Sequence, residues 1–212
     1  MCILFQSMKQ KDYASAIKAR IAKAKRGKLF VMTDFADLAP NNAANRVITR
    51  LVGESKLRPI IRGVYQKPSF NGFLNDWVEP TVDELAYAIA RRNGWQINPD
   101  GDTALNLMGL TTQVPSTWCF VSDGPYKSYS YGNGRIMFKH SSNRLMGKLS
   151  SDAVMFVQAM RALGQDNAAS DVIECLSKRF SKVQAKGIEI ETRIAPDWIH
   201  ARAVALKESY NA

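Results

Sequence analysis

The chain has 212 residues, 46% of them hydrophobic, a formal net charge of +10 and three cysteines. That length holds one or two domains with real cores, and no apolar run approaches the ~20 residues a membrane-spanning helix needs. The odd, widely spaced Cys2, Cys119 and Cys175 argue against a disulfide frame or a zinc site and for reduced thiols in a cytoplasmic protein.

The opening MCILFQSMKQ is too short for a signal peptide and lacks a cleavage pattern, so translation is expected to start at Met1 or Met8. Tyr13 to Lys25 reads as a helix with an apolar stripe at Tyr13, Ile17, Ile21 and Ala24, stopped by Arg26-Gly27. Leu29 to Met32 is a short β-like run. Thr33 then caps a short helix, Asp34 to Leu38, and the acidic residue suits the helix N-terminus. Ala39-Pro40-Asn41-Asn42 breaks the chain, and Asn41 or Asn42 caps a second helix from Ala43 to Glu54. Its buried face is Ala44, Val47, Ile48, Leu51 and Val52. Its other face carries Asn42, Asn45, Arg46, Thr49 and Arg50, side chains able to hydrogen-bond base edges and phosphates. A hairpin follows: Arg58 to Ile61, a turn at Arg62-Gly63, then Val64 to Lys67.

Helix, short strand, helix, polar turn, helix and basic hairpin is the order of a winged helix-turn-helix. The expected DNA contacts are Asn41, Asn42, Asn45, Arg46, Thr49 and Arg50 on the second helix of the motif, with Arg58, Arg62 and Lys67 on the wing. A polar helix face by itself is usually solvated surface. Here residues 1–70 hold 14 Lys and Arg against 4 Asp and Glu, whereas residues 71–212 hold 15 against 15. The whole positive excess therefore coincides with the motif, which favours phosphate binding. The predicted domains are 1–70, the winged helix, and 71–212, a mixed α+β domain.

Ser69 to Pro80 reads as a connector whose Phe70, Phe73, Leu74 and Trp77 are expected to pack against a domain. Thr81 and Glu84 form a capping box that opens a helix ending at Asn93-Gly94. Asn98 to Gly101 reads as a turn, followed by a short helix to Leu107. Thr117 to Ser122, Tyr126 to Tyr131 and Arg135 to His140 read as strands of a small antiparallel sheet, the last two joined by Gly132-Asn133-Gly134. Ser151 or Asp152 caps a helix to Leu163, and another runs from Asn167 to Phe180. Lys186-Gly187 breaks the chain, Ile188 to Arg193 reads as a short strand, and Pro196 starts a last helix to about Glu208.

The wing RPIIRGVYQKP, then LMGLTTQVPSTWCFVSDGP and YSYGNGRIMFKH, resemble the AbiEi-like antitoxin family of bacterial abortive-infection systems. In that family a Leu-Gly-Leu phrase and a Thr-Gln-Val-Pro phrase precede the sheet. Here Met108-Gly109-Leu110 leads into Leu110-Thr-Thr-Gln-Val-Pro115, and the likeness covers roughly residues 13–165. The resemblance implies a transcriptional autorepressor that binds double-stranded DNA at its own promoter. It also implies that the second domain counters a nucleotidyltransferase-like toxin, as in type IV toxin-antitoxin systems, without a stable complex.

Enzyme signatures are weak. His140 and His200 lack metal-ligand spacing, and there is no phosphate-binding glycine loop, G-x-S-x-G or H-E-x-x-H. Glu189 and Glu191, on one face of a strand, could hold Mg²⁺ with Asp171 in a nuclease. Arg193 stands where such a motif has Lys, and an edge strand of alternating charge explains the pattern more simply. Tyr126, Tyr129 and Tyr131 with Lys127 and Lys139 suggest a base-stacking sheet, but half-buried strands commonly carry Tyr. The expectation is no enzyme, catalytic residue, metal or cofactor. The alternative function is a protein-interaction module merely tethered by a winged helix.

Overall fold

The structure is a computed structural model that describes residues 10–141, 148–168 and 170–210. Cys2 and both candidate start methionines lie outside the described residues. The fold is α+β, as the sequence predicts, and divides into two compact units between Trp95 and Gln96. Among the described residues no helix is long and apolar enough to cross a membrane.

In the first unit, helix α1 (Gln10–Lys23) leads to strand β1 (Leu29–Val31), a 3₁₀ turn (Met32–Phe35), helix α2 (Asn41–Gly53) and the hairpin β2 (Arg58–Ile61) and β3 (Val64–Gln66). The strands form an antiparallel sheet in the order β1-β3-β2, with a bulge between Pro59 and Ile61. The helical spacing of Ile17 and Ile21 on α1, and of Ala44, Val47, Ile48 and Leu51 on α2, turns both apolar stripes into one core around Phe30 and Phe35. Those two rings stack at 5.7 Å. Burying each large aliphatic side chain contributes about 1.5–3 kcal/mol, which makes this face the dominant local constraint on α2.

Two predicted caps differ. Thr33 lies inside the 3₁₀ turn, where its hydroxyl donates to the Arg91 carbonyl at 3.3 Å. Asp34 secures the turn instead, accepting from the Val31 amide at 2.9 Å. Pro40 precedes α2, so Asn41 and Asn42 are its first helical residues rather than its cap, and no side chain caps it.

The domain boundary predicted at residue 70 also moves. Helix α3 (Val82–Asn93) belongs to the first unit. Its Arg91 donates to the Leu29 carbonyl at 3.3 Å and pairs with Asp34 at 3.3 Å. Arg92 reaches the Arg62 carbonyl at the β2–β3 turn. Gly63 adopts φ +79° there, and a Cβ would lie 3.1 Å from the Arg92 side chain. The capping box of Thr81 and Glu84 is present, with the Thr81 amide donating to Glu84 at 3.0 Å.

The stretch 69–80 is a small hairpin, β4 (Phe70–Asn71) and β5 (Asp76–Trp77), not a packed connector. Asn71 accepts from the Phe73 and Leu74 amides and shapes the tip. Of the four residues expected to pack against a domain, Phe70 and Trp77 are about half exposed and lie beside Ile21 and Leu51, while Phe73, 95% exposed, and Leu74 stand in solvent.

The second unit has a four-stranded sheet and five helices among its described residues. Strand β6 (Ile97–Pro99) pairs antiparallel with β7 (Thr117–Ser122), so the predicted Asn98 turn begins as an edge strand, a position that tolerates Pro99. Strand β9 (Gly134–His140) forms the predicted hairpin with β8 (Lys127–Tyr131) and runs parallel to β7. The order β6-β7-β9-β8 is thus antiparallel except for its central pair. Helices α4 (Asp102–Leu107), α5 (Ser151–Leu163), α6 (Ser170–Arg179), α7 (Lys182–Glu191) and α8 (Asp197–Glu208) complete the unit. Their core is centred on Phe156, Met160, Leu176, Ile188, Ile199 and Leu206. Ser150, not Ser151 or Asp152, caps α5, its hydroxyl accepting from the Ala153 amide.

The predicted break at Gly187 and strand at 188–193 are wrong: Gly187 lies inside α7. A capping box between Ser181 and Gln184 starts this helix, and Ala185, Ile188 and Glu189 form its buried side. That burial outweighs the roughly 1 kcal/mol cost of an interior glycine.

Candidate nucleic-acid interface

Helix α2 presents two chemically distinct sides. Ala44, Val47, Ile48 and Leu51 are buried, while Asn41, Asn42, Asn45, Arg46, Thr49 and Arg50 are all exposed. The helical repeat makes this a consequence of the sequence: 42, 45, 46, 49 and 50 recur at the i+3 and i+4 spacing that shares a face. Among the described residues Arg46 has no ion pair, and Arg50 has only a long one to Glu54 at 3.8 Å. Tertiary packing adds what periodicity could not. A cleft of about 490 Å³ between α1 and α2 is lined by Tyr13, Lys18, Arg46 and Arg50. Lys18 was legible only as surface decoration on α1, because no sequence signal says which side of α1 meets α2.

The nearest carboxylate, Glu54, is held below the ordinary Glu range chiefly by its hydrogen bond from Lys56, with the charges of Lys18 and Arg50 acting in the same direction. It therefore stays ionised and offsets part of the positive charge at the C-terminal end of α2. The N-terminal half of the face, from Asn41 to Arg46, contains no carboxylate.

The basic residues expected on a wing, in and beside the β2–β3 hairpin, separate into two kinds. Arg62 is exposed at the turn tip. Arg58 is held by Glu79 at 2.7 Å and by the Gln66 side-chain oxygen at 3.1 Å. Lys67 donates to the carbonyls of Ala22 and Ala24 at 2.8 and 2.7 Å, closing the C-terminus of α1. Both were predicted to contact DNA. In the structure each also has a partner within the fold, because a basic side chain beside a helix C-terminus or a carboxylate finds one there.

The carboxylates of the nuclease reading do not form the predicted strand face. Glu189 lies on the buried side of α7, pairing with Arg193 at 3.3 Å and Lys207 at 3.7 Å. Burial pushes its pKa up, but the Arg193 hydrogen bond and the charges of Lys207, Arg193 and His200 outweigh this and leave it lowered. Glu191 accepts from the Ser150 amide at 2.5 Å, and Asp171 from the Val172 amide at 2.9 Å. Among the described residues no three His, Cys, Asp or Glu side chains gather as a metal site. His140 hydrogen-bonds the Gly124 carbonyl oxygen at 3.0 Å, and His200 lies 3.3 Å from the Thr192 hydroxyl. On the second sheet Tyr129 packs edge-on against Phe138 at 5.9 Å, and Lys139 pairs with Asp100 at 3.4 Å.

Residues 16–188 match the family model described as a family of unknown function, DUF6088, and the chain belongs to that family. No curated protein matches it.

Proposed function

We propose that this protein is a DNA-binding transcriptional regulator acting in the cytoplasm, with its first unit serving as a winged helix-turn-helix. The observation that carries the reading is the exposed face of α2, where Asn42, Asn45, Arg46 and Thr49 stand opposite a fully apolar face and Arg46 has no partner carboxylate among the described residues. Short amides and an arginine on one helix face suit base-edge hydrogen bonding in a major groove. Arg50, Lys18 and Arg62 suit the flanking phosphates. To Trp95 the chain holds 16 Lys and Arg against 8 Asp and Glu, so most of the net charge lies in this unit.

The partner is double-stranded DNA at the protein's own promoter. The test is a gel shift with the DNA upstream of its gene, over a salt series. Binding that weakens steeply with salt, and loses sequence preference in Arg46→Ala, is the expected outcome. Equal affinity of wild type and Arg46→Ala for upstream and random duplexes alike overturns α2 as the reader.

From its likeness to AbiEi-like antitoxins, the second unit is proposed to counter a nucleotidyltransferase-like toxin without a stable complex. Co-expression with a neighbouring toxin gene under an unrelated promoter tests this. The Arg46→Ala/Arg50→Ala double variant is expected to lose promoter binding and keep growth rescue. Loss of rescue at constant toxin expression moves that activity to the first unit.

A further inference from the structure

Beside the DNA-facing cleft, and inside the same unit, lies a second cavity of about 670 Å³. Its base is apolar: Ile21 of α1 and Leu51 of α2, both buried in the core. Phe70 and Trp77 of the β4–β5 hairpin also line it, their rings edge-on at 5.2 Å. Lys18 and Arg26 line it too, and neither has an ion pair among the described residues. No carboxylate is among its lining residues.

This combination is selective. The volume falls in the range of small-molecule sites, about 300–1,000 Å³. Buried aliphatic groups with half-exposed aromatic rings favour a flat apolar body. Four basic lining residues, Lys18, Arg26, Lys56 and Lys67, with only Lys56 ion-paired among the described residues, to Glu54 at 2.7 Å, and no carboxylate in the lining favour a negative charge on that body and disfavour a cation. Solvation alone explains one exposed lysine. It does not explain why Trp77, a costly residue to leave half in water, closes a cavity whose only charged lining residues are basic. The closing pair is also cheap to hold in place: the hairpin is shaped by Asn71 at its tip and by the Val78 amide donating to the Ser69 carbonyl at 2.8 Å.

We propose that this cavity is a binding site for a small organic anion, a flat apolar ring bearing a carboxylate or sulfonate. The ring lies against Trp77 and Phe70 over Ile21 and Leu51, and the anionic group meets Lys18 and Arg26. The site is independent of the DNA reading, and no DNA enters its test.

The full chain is titrated with 1-naphthoate at low salt, followed by tryptophan fluorescence and calorimetry. Saturable binding at one site per chain is expected. The neutral analogue 1-naphthalenemethanol is expected to bind at least about tenfold more weakly, since it lacks the charge-assisted contacts. Trp77→Ala is expected to weaken naphthoate by a similar factor. Lys18→Gln/Arg26→Gln is expected to weaken naphthoate severalfold, Lys56 and Lys67 remaining in the lining, while leaving the neutral analogue unchanged, a readout that loss of folding does not produce. Absence of saturation, equal affinity for the two probes in the wild type, or unchanged affinity in both variants overturns the site.

Discussion

The middle of α2 in the first unit and the C-terminal helices of the second surround a basic side chain differently. In the second unit, Lys178 pairs with Glu174 on α6 at 2.8 Å, and Arg193, in the 3₁₀ turn after α7, pairs with Glu189 of α7 at 3.3 Å, each at the i,i+4 spacing. On α2 of the first unit, the positions four residues either side of Arg46 are Asn42 and Arg50. A cation with a helical neighbour of opposite sign is neutralised within its own element. One flanked by an amide and another cation keeps its field available to an outside anion. The arrangement of charge, more than its quantity, separates a solvated helix from a candidate interface.

The strongest way to break the comparison is to ask whether the units stand independently. Phe35→Ala removes a ring from the centre of the first core and is expected to destabilise that unit by about 3–5 kcal/mol. Phe156→Ala does the same for the second. Hydrogen exchange of each variant is expected to show loss of protection confined to one side of Trp95. A uniform loss along the chain erases the division.

Next in size is the effect on DNA. Arg46→Ala is expected to cost about 1–3 kcal/mol at the upstream site, measured by fluorescence anisotropy. Arg193→Ala, removing a paired cation from the second unit, is expected to leave that affinity unchanged. Equal losses in both variants would reduce the interface to net charge alone.

The wing sharpens the contrast within a single hairpin. Arg62→Ala is expected to lower specific and random binding together and reduce the salt slope by about one. Lys67→Met is expected instead to lower stability by about 1 kcal/mol through the α1 carbonyls, with the salt slope unchanged. Denaturant unfolding and a salt titration separate the two. A changed slope in Lys67→Met returns that residue to the interface.

The smallest effect concerns pH. The folded pKa of Glu189 is depressed, so its ionised form contributes stability above the ordinary Glu range, and that contribution is lost as pH falls through the folded value. The stability gap between wild type and Glu189→Gln is therefore expected to be largest near neutrality and to shrink on acidification. A gap that widens in acid contradicts the pairing with Arg193 and Lys207.

The sequence by itself determined the elements whose signals are local. Apolar residues at helical spacing defined both sides of α2. Arg62-Gly63 marked the β2–β3 turn, because Gly63 takes a left-handed conformation there. Thr81 with Glu84 marked the start of α3, and Gly132-Asn133-Gly134 the hairpin of β8 and β9. The five polar residues Asn42, Asn45, Arg46, Thr49 and Arg50 of α2 followed from periodicity, and the structure leaves all of them exposed. Only the tertiary structure decided what distant residues do for one another. It assigned α3 to the first unit through Arg91 and Arg92, joined β7 to β9 in parallel, and brought Lys18 to Arg46 and Arg50. It also gave Arg58 and Lys67 hydrogen-bond partners within the fold and made a helix of 188–191, where Ile188 and Glu189 lie on the buried side of α7. The physical reason is common to all of these. A side chain's own spacing sets the face it occupies, but its partner is set by packing between elements far apart in the chain, and burial at such a contact outweighs local preference.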